Sequence, residues 1–365
     1  MKVAFLWGSL NRGGTETLLL DVFQNISSAK FEALGVYRKT GVLESDFLST
    51  EVKMIKLRTQ VNIFLYLRKL RLLMVGQNID IVHAQQFIDA LYALFACVGT
   101  KKKIVLSVHG FDFNFSKISL FLNWVILKLS HANIFVSEMQ CNYFVKKYRL
   151  NPRKQMVVYN GISFKKMYDN EFSDIREKLK LTSGELLLGT VGNFVPGRNP
   201  LFICQFLNKL HQNGFNFKFI FIGKKSETTP EIYDSCVNYI QENNLNEKVF
   251  FLGSRNDVYA LLKELDVFVY ASDHDTFGIA VVEALASGIP VFVNDWGVMN
   301  EITANGEYAT LYKTGDVNDL CDKFSVFLMC ADDYTIKANR ASDCVKKKYS
   351  IGSHIDSLMG VYDNI

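Results

Sequence analysis

Proline is scarce in this chain, five residues in 365, and no low-complexity tract or internal repeat interrupts it. Disordered, collagen-like and solenoid architectures are thereby excluded. None of the seven cysteines forms a C-x-x-C pair or a metal-ligand spacing. Zinc-ribbon and dithiol redox classes drop out, and a reducing, cytoplasmic compartment with buried or idle thiols is expected. A spanning helix needs about 20 mostly apolar residues. The longest candidate, ISLFLNWVILKLSHANIFV (118–136), is broken by Asn123, Lys128 and His131, so no transmembrane segment is expected. MKVAFLWGSL has a single Lys and too short an apolar stretch for a signal peptide, and reads instead as a buried first strand. No nucleic-acid-binding module is recognisable, and no nucleic-acid partner is expected.

What is present suits two hydrophobic cores. Hydrophobic residues make up 49% and charged residues 21% of a chain longer than one core usually organises. Short apolar runs alternate with helical periodicity: VAFLW, ALGVYR, DIVHAQ, KIVLSVHG, ANIFVS and QMVVYNG, then LLLGTVGN, FKFIFIG, VFFLG, DVFVYAS and PVFVND. Continuous apolar strands separated by helices imply α/β architecture with parallel sheets covered on both faces. The restart after FSDIREKLK divides the chain into residues 1–165 and 166–349, with 350–365 as a closing helix that packs back on the first part. Ligands of such folds bind outside the carboxyl ends of the strands, so an interdomain cleft is expected.

Charge is uneven. Residues 1–165 hold 22 Lys and Arg against 10 Asp and Glu, a net of +12, and the remainder is net −8. The basic half points to an anionic partner or to a well-solvated surface. VNIFLYLRKLRLLM (61–74) and Lys101–Lys103 are candidate contacts with an anionic membrane, and equally a core-packed helix with a solvated edge.

The candidate chemistry lies in loops. GSLNRGGT (8–15) nearly fits a P-loop, but Gly14 stands where the phosphate-binding Lys must be, and G-x-G-x-x-G is also absent. Gly13 and Gly14 remain as a place where backbone N–H groups approach an anion, or as an ordinary strand-to-helix turn. His109 ends a strand, as a cleft residue or a core imidazole. In LLLGTVGNFVPGRNP, Asn193 and Arg198 follow a strand end, and Arg198 offers a bidentate fork for phosphate. SDHDTFGIAVVEALASG (272–288) sets Asp275 and Glu283 eight positions apart around Phe277, Gly278 and Ile279. Read as eight helical residues, they are separated by roughly 12 Å. That span suits an elongated ligand with hydroxyls at each end and a phosphate at the helix start. Asp273 and Asp275 also form a D-x-D of the kind that chelates Mg²⁺ or Mn²⁺, a reading ranked below the first.

In this order the loops resemble the family-four (GT4) retaining glycosyltransferases, with the GT-B fold of two Rossmann-like domains facing an interdomain cleft. The likeness runs from Gly13-Gly14 through His109, VYNGI (158–162), the Gly192–Arg198 loop, FIG, FFLG and DTFGIAVVEALASGIPV to GVMNEI and the last helix. The family pattern is E-x7-E; Asp275 replaces the first Glu and Glu283 is the second. The resemblance implies that Glu283 holds the donor ribose and that Asp275 meets hydroxyls of the transferred sugar. Backbone N–H groups at Phe277, Gly278 and Ile279 would take the phosphates, with Asn193 and Arg198 where the family places Arg and Lys. His109 would sit near the reacting sugar, Gly13 and Gly14 near diphosphate and acceptor, and Arg255 near the base.

It further implies a nucleotide-sugar donor, UDP-sugar favoured and GDP-sugar the alternative, with no metal or other cofactor. The acceptor would be an anionic, lipid-linked or polysaccharide glycan, met in the cytoplasm at the inner membrane face during surface glycan synthesis. The 1–165 part would bind acceptor and the 166–349 part donor. A nucleotide-sugar 2-epimerase on the same fold, or a non-catalytic nucleotide-sugar-binding protein, stays open as an alternative.

Overall fold

The computed structural model describes residues 1–26, 30–59, 62–113, 115–168 and 173–365. Residue 61 of the 61–74 segment, and residues 169–172 within the expected boundary stretch, lie outside them. The chain divides into two compact units, Met1–Ser163 with Tyr349–Ile365, and Phe164–Lys348.

The first unit holds a seven-stranded sheet: β1 (Lys2–Ser9), β2 (Glu32–Lys39), β3 (Lys53–Lys56), β4 (Ile81–Ala84), β5 (Lys103–Val108), β6 (Ala132–Phe135) and β7 (Gln155–Val157). Their order is β3-β2-β1-β4-β5-β6-β7, and every pairing is parallel. The second unit holds six strands: β8 (Leu186–Val191), β9 (Phe217–Ile222), β10 (Val249–Gly253), β11 (Val267–Tyr270), β12 (Val291–Asn294) and β13 (Thr310–Tyr312). Their order is β10-β9-β8-β11-β12-β13, again all parallel. Both sheets therefore reverse direction of growth beside their first strand, between β1 and β4 and between β8 and β11. The crevice at the strand carboxyl ends of such a switch point is where open α/β sheets bind ligands.

Strands buried on both faces lose the polar alternation of a half-exposed sheet. All four residues of β4, β6, β11 and β12 are buried, as are Phe5, Leu6 and Trp7 of β1. The two strands that the sequence does not reveal, β3 and β13, are short sheet edges whose residues are mostly half-exposed.

The closing helix, Ile351–Asp363, belongs to the first unit. Ile355, Leu358 and Tyr362 join Phe5, Phe23 and Phe31 in one core cluster. VYNGI secures its entry: Ile162 N–H donates to Tyr349 O at 2.9 Å, and Ile351 N–H donates to Ile162 O at 3.0 Å. A Cβ on Gly161 would stand 2.9 Å from the Ile351 Cα and 2.6 Å from the His354 Cβ. Only a glycine permits that approach of two backbones.

Candidate functional site

In the second unit the two switch-point strands deliver the predicted residues. β8 ends at Val191, and its loop carries Asn193 and Arg198. β11 ends at Tyr270, and its loop carries Asp275. Arg198 pairs as an isolated antiparallel bridge with Ser272, which fastens one loop to the other. Ser272 Oγ donates to Gly197 O at 2.9 Å, while Asn294 at the end of β12 accepts from Ser272 N–H and donates to Ser272 O. The loops are thus held by buried hydrogen bonds before any ligand arrives.

Arg198, Tyr270 and Asp275 form one cluster. The guanidinium lies 5.7 Å from the Tyr270 ring centroid, and its Nη2 is 3.8 Å from Asp275 Oδ1. The Tyr270 hydroxyl donates a short hydrogen bond to Asp275 Oδ2. Burial acts to lower the Arg198 pKa, but Tyr270 and Asp275 outweigh it and hold the group more firmly charged. Burial, then Asp275, pushes the Tyr270 hydroxyl well above its usual range, so at neutral pH it stays a donor. A Cβ on Gly192 would fall 2.3 Å from Arg198 Nη1: the glycine leaves room for the guanidinium.

The helix that follows begins later than the eight-residue span assumed. It covers Ile279–Ala286, with Gly278 at its N-cap in the left-handed region at φ 86°, where glycine is favoured. Glu283 is therefore one turn inside a helix, whereas Asp275 sits in the preceding loop. The roughly 12 Å of helical rise does not apply between them. No side chain caps this N-terminus; Val281 and Val282 N–H donate to Gly278 O, so the helix's own bonds begin there. The first N–H groups of a helix have no intrahelical acceptor and attract anions. Glu283 Oε1 accepts from the Tyr259 hydroxyl at 2.8 Å.

The remaining donor-side candidates scatter. Asn193 Oδ1 accepts from Lys224 N–H at 3.0 Å, so the residue that replaces the family's cation joins the β8 and β9 loops. Arg255 lies beyond β10 and pairs bidentately with Asp257, both side chains 40% exposed; a base contact there has to compete with this pair. In the D-x-D, Asp273 pairs with His274 at 2.5 Å and Asp275 turns to Tyr270 and Arg198. Among the described residues no group of three or more His, Cys, Asp or Glu could hold a metal ion. Tyr259, Tyr270 and Asn294 are the partners that sequence reasoning missed. Only the Tyr at the end of DVFVYAS, a hydroxyl at a switch-point strand terminus, carried a readable signal.

In the first unit Gly13 is the N-cap of helix Gly14–Asn25, in extended conformation, and a Cβ on Gly14 would meet nothing within 4 Å. A Cβ on Gly13 would lie 2.5 Å from Glu16 Oε2. The helix's own carboxylate thus already covers this N-terminus, and an incoming anion has to displace it. Burial raises the Glu16 pKa against its own backbone hydrogen bond.

His109 follows β5, half-buried. Its Nε2 lies 2.9 Å from Gln85 Oε1, which only accepts, so Nε2 carries the hydrogen. The loop beyond is anchored twice. Gln140 Nε2 donates to Gly110 O at 3.0 Å, and buried Asp112 accepts from Tyr143 (2.9 Å), Lys147 (2.8 Å) and Tyr148. Burial works to raise the Asp112 pKa, but these hydrogen bonds prevail and keep it ionised.

Two further histidines face the same interior. His83 bonds the Tyr362 hydroxyl at 2.6 Å and Ser107 Oγ at 2.7 Å; His354 Nδ1 donates to Tyr159 O at 2.6 Å. Desolvation leads in lowering all three: His83 to about 3, with His109 and His354 adding, His109 to about 4, with His354 adding, and His354 to about 4 against the Tyr159 bond. All three are neutral at pH 7.

The membrane-contact candidates are partly structural. Helix Ile63–Gly76 buries Tyr66, Leu70 and Met74 and leaves Phe64 and Leu72 exposed. Lys102 Nζ donates to Ile79 O at 2.6 Å, so the middle of the Lys101–Lys103 run is tied to its own fold.

Two family descriptions match, Glycosyltransferase Family 4 over residues 12–166 and Glycosyl transferases group 1 over residues 171–346. The chain belongs to the family-four glycosyltransferases. It is a glycosyl-transferring enzyme by family, and its two parallel sheets have the GT-B fold. Among its relatives is the UDP-Gal:alpha-D-GlcNAc-diphosphoundecaprenol alpha-1,3-galactosyltransferase of Escherichia coli, 24% identical over 96% of this chain and 93% of that one. Another is the N-acetyl-alpha-D-glucosaminyl L-malate synthase of Bacillus anthracis, 21% identical over 79% of this chain and 76% of that one. Among solved structures, Alr3699/HepE of Anabaena in complex with UDP and glucose matches at TM-score 0.84, with 18% identity and full coverage of both chains. No helix among the described residues is long and apolar enough to cross a membrane.

Proposed function

We propose that this glycosyltransferase moves a sugar from a nucleotide diphosphate sugar, a UDP-sugar by preference, to a hydroxyl of a lipid-linked or polysaccharide acceptor, with retention of anomeric configuration. The observation that carries the reading is the switch-point cluster of the second unit. Charged Arg198 lies 3.8 Å from Asp275, and a helix N-terminus without a side-chain cap falls in the chain between Asp275 and Glu283, each carboxylate held by a tyrosine hydroxyl. A cation and oriented N–H groups suit a diphosphate, and flanking carboxylates suit ribose and sugar hydroxyls. Support also comes from the Anabaena neighbour solved with UDP and glucose and from the diphosphoundecaprenol acceptor in the Escherichia coli relative's name.

On this reading Arg198 and the helix start stabilise the departing diphosphate without a metal ion. The leaving phosphate oxygen accepts the proton of the attacking hydroxyl on the same face, which gives retention. Donor recognition is assigned to the second unit and acceptor recognition to the basic first unit, in the cytoplasm at the inner membrane face. The role of His109 in transfer rests on the family resemblance.

Thermal unfolding with UDP-, GDP- and ADP-sugars is the test. A UDP-sugar at a hundred times its Kd should stabilise the protein by about 2.7 kcal/mol, and stabilisation by none of the three would sink the proposal. Transfer should survive EDTA; loss restored by Mn²⁺ would move the Asp273–Asp275 pair to the metal reading. Conversion of donor alone to an epimer, followed by NMR, would replace transfer by epimerisation.

A further inference from the structure

The charge at the second unit's switch point is too small for a diphosphate. Arg198 brings one positive charge, and Asp275 Oδ1, 3.8 Å away, offsets it. Asn193, which stands where the family places a further cation, is neutral, and its Oδ1 is taken by Lys224 N–H at 3.0 Å. Additional charge has to come from outside the β8 loop. Three cations follow the neighbouring strands: Lys224 and Lys225 after β9, and Arg255 after β10. Two of them are committed. Lys225 Nζ bonds both oxygens of Asp234, at 2.6 and 2.8 Å, and lies 5.4 Å from the Tyr233 ring centroid. Arg255 is paired bidentately with Asp257. Lys224 is exposed, and its ammonium has no hydrogen bond or ion pair among the described residues.

The sheet fixes the face on which Lys224 stands. The β8–β9 ladder runs past both strand ends in unchanged register. Gly192 N–H donates to Ile222 O at 2.8 Å, Phe194 N–H donates to Lys224 O at 3.1 Å, and Phe194 bridges Lys225. Asn193 and Lys224 are therefore lateral neighbours, about 5 Å apart as adjacent strands are. Successive side chains of a strand point to opposite faces. Phe217, Phe219 and Phe221 of β9, Leu188 and Phe194 on the β8 side, and Val267 and Val269 of β11 all join one core cluster. The alternation then puts Lys225 on the cluster's face, where it meets Tyr233, and puts Asn193, Lys224 and Tyr270 on the other. Tyr270 is the residue whose ring neighbours the Arg198 guanidinium and whose hydroxyl bonds Asp275. Only two strand spacings, about 10 Å across the sheet, separate β9 from β11.

We infer that Lys224 is a donor-binding residue of this enzyme, its ammonium set on the diphosphate, so that the charge absent at position 193 is furnished from the adjacent strand. A diphosphate lying across the end of β8 meets Arg198 on one side and Lys224 on the other. Lysine suits that place because it binds phosphate as a point charge and needs no planar partner. The Asn193 bond to Lys224 N–H holds the backbone from which the side chain extends. The inference deepens the transferase reading and rests on it for the diphosphate.

The test is isothermal titration of the full chain with UDP, GDP and ADP. The tightest of the three is carried forward with its nucleoside, whose affinity is read by competition. Lys224→Ala should weaken the diphosphate about tenfold and leave the nucleoside unchanged. Lys224→Gln, which keeps most of the length and drops the charge, should lose as much as the alanine variant. Lys225→Ala should bind like wild type. The inference is overturned if Lys224→Ala binds the diphosphate like wild type. It is equally overturned if the variant loses nucleoside and diphosphate alike, which makes Lys224 a base contact or a packing residue. Wild-type affinity in Lys224→Gln, or an equal loss in Lys225→Ala, also sinks it. Failure of wild type to bind any of the three nucleotides removes the donor reading and this inference together; binding that Lys224→Ala leaves unaltered removes the inference alone.

Discussion

The two units repeat one sheet order and fill their switch points with opposite chemistry. At the ends of β8 and β11 the second unit gathers formal charges, Arg198 against Asp275, with the neutral Tyr270 hydroxyl bonded to the carboxylate. Near the ends of β4 and β5 the first unit gathers neutral groups instead: three imidazoles held unprotonated, the Gln85 and Asn123 amides, and a largely apolar pocket. The same backbone crevice is thus lined by formal charge in one unit and by neutral or apolar groups in the other. Side chains at strand ends, more than topology, decide which.

The contrast breaks most visibly at Arg198. Arg198→Ala removes the cation that faces the proposed leaving group, and transfer should fall by roughly 100- to 1000-fold, read as kcat with donor and acceptor saturating. Arg198→Lys keeps the charge and loses the planar face over Tyr270, so it should lie between. Equal rates for wild type and alanine variant would remove the charged site from the chemistry.

Next in size is acid lability, which should belong to the first unit. A histidine whose folded pKa is depressed binds fewer protons folded than unfolded, so its stabilising share is full above the unfolded pKa of about 6.5. That share is lost as pH falls from there toward the folded values of about 3 to 4. For His354 the difference amounts to on the order of 3 kcal/mol. Chemical denaturation at pH 7.5 and pH 4.5 should show the loss in wild type and a smaller one in His354→Gln, which can still donate to Tyr159 O. Identical losses would place the lability elsewhere.

Gly161 comes third. A Cβ there meets the Ile351 Cα at 2.9 Å, so Gly161→Ala should push the closing helix off the first unit and cost about 1–3 kcal/mol. An unchanged Tm would show that the helix has room to shift. The NGI triplet within VYNGI is explained here by close packing.

How much of this was legible follows from what each residue depends on. Interior strands such as DVFVYAS and PVFVND announce themselves because burial on both faces demands unbroken apolar runs. KMIK and TLY do not, because a sheet edge tolerates half-exposed residues. Helix Ile279–Ala286 was readable from its period; that Asp275 lies outside the helical rise was not, because Gly278 takes a left-handed conformation at the N-cap. Arg198 and Asp275 were readable as loop residues after strands, but that they meet required the β8–β11 adjacency. His83 and His354 gave no signal: the β4–β5 pairing brings His83 to the Ser107–His109 strand end, and the return of the closing helix brings His354. The pocket was equally hidden: the Asn123 that interrupts an apolar run proves to be a buried amide in its wall.

The smallest expected effect separates positioning from binding on the charged side. Tyr259 donates to Glu283 Oε1 at 2.8 Å, so it orients the carboxylate proposed to hold the ribose without itself being a charged ligand group. Tyr259→Phe keeps the ring and deletes one hydrogen bond, which is worth about 1 kcal/mol or somewhat more when the acceptor is ionised. Nucleotide affinity should fall about three- to tenfold, measured by titration with UDP, while Glu283→Ala should cost roughly ten- to a hundredfold by removing the acceptor of the ribose hydroxyls. Glu283→Gln, which retains one carbonyl oxygen for Tyr259, should fall between them. If Tyr259→Phe tightens binding instead, the tyrosine competes with the ribose for Glu283, and the pair is a latch that the donor must open.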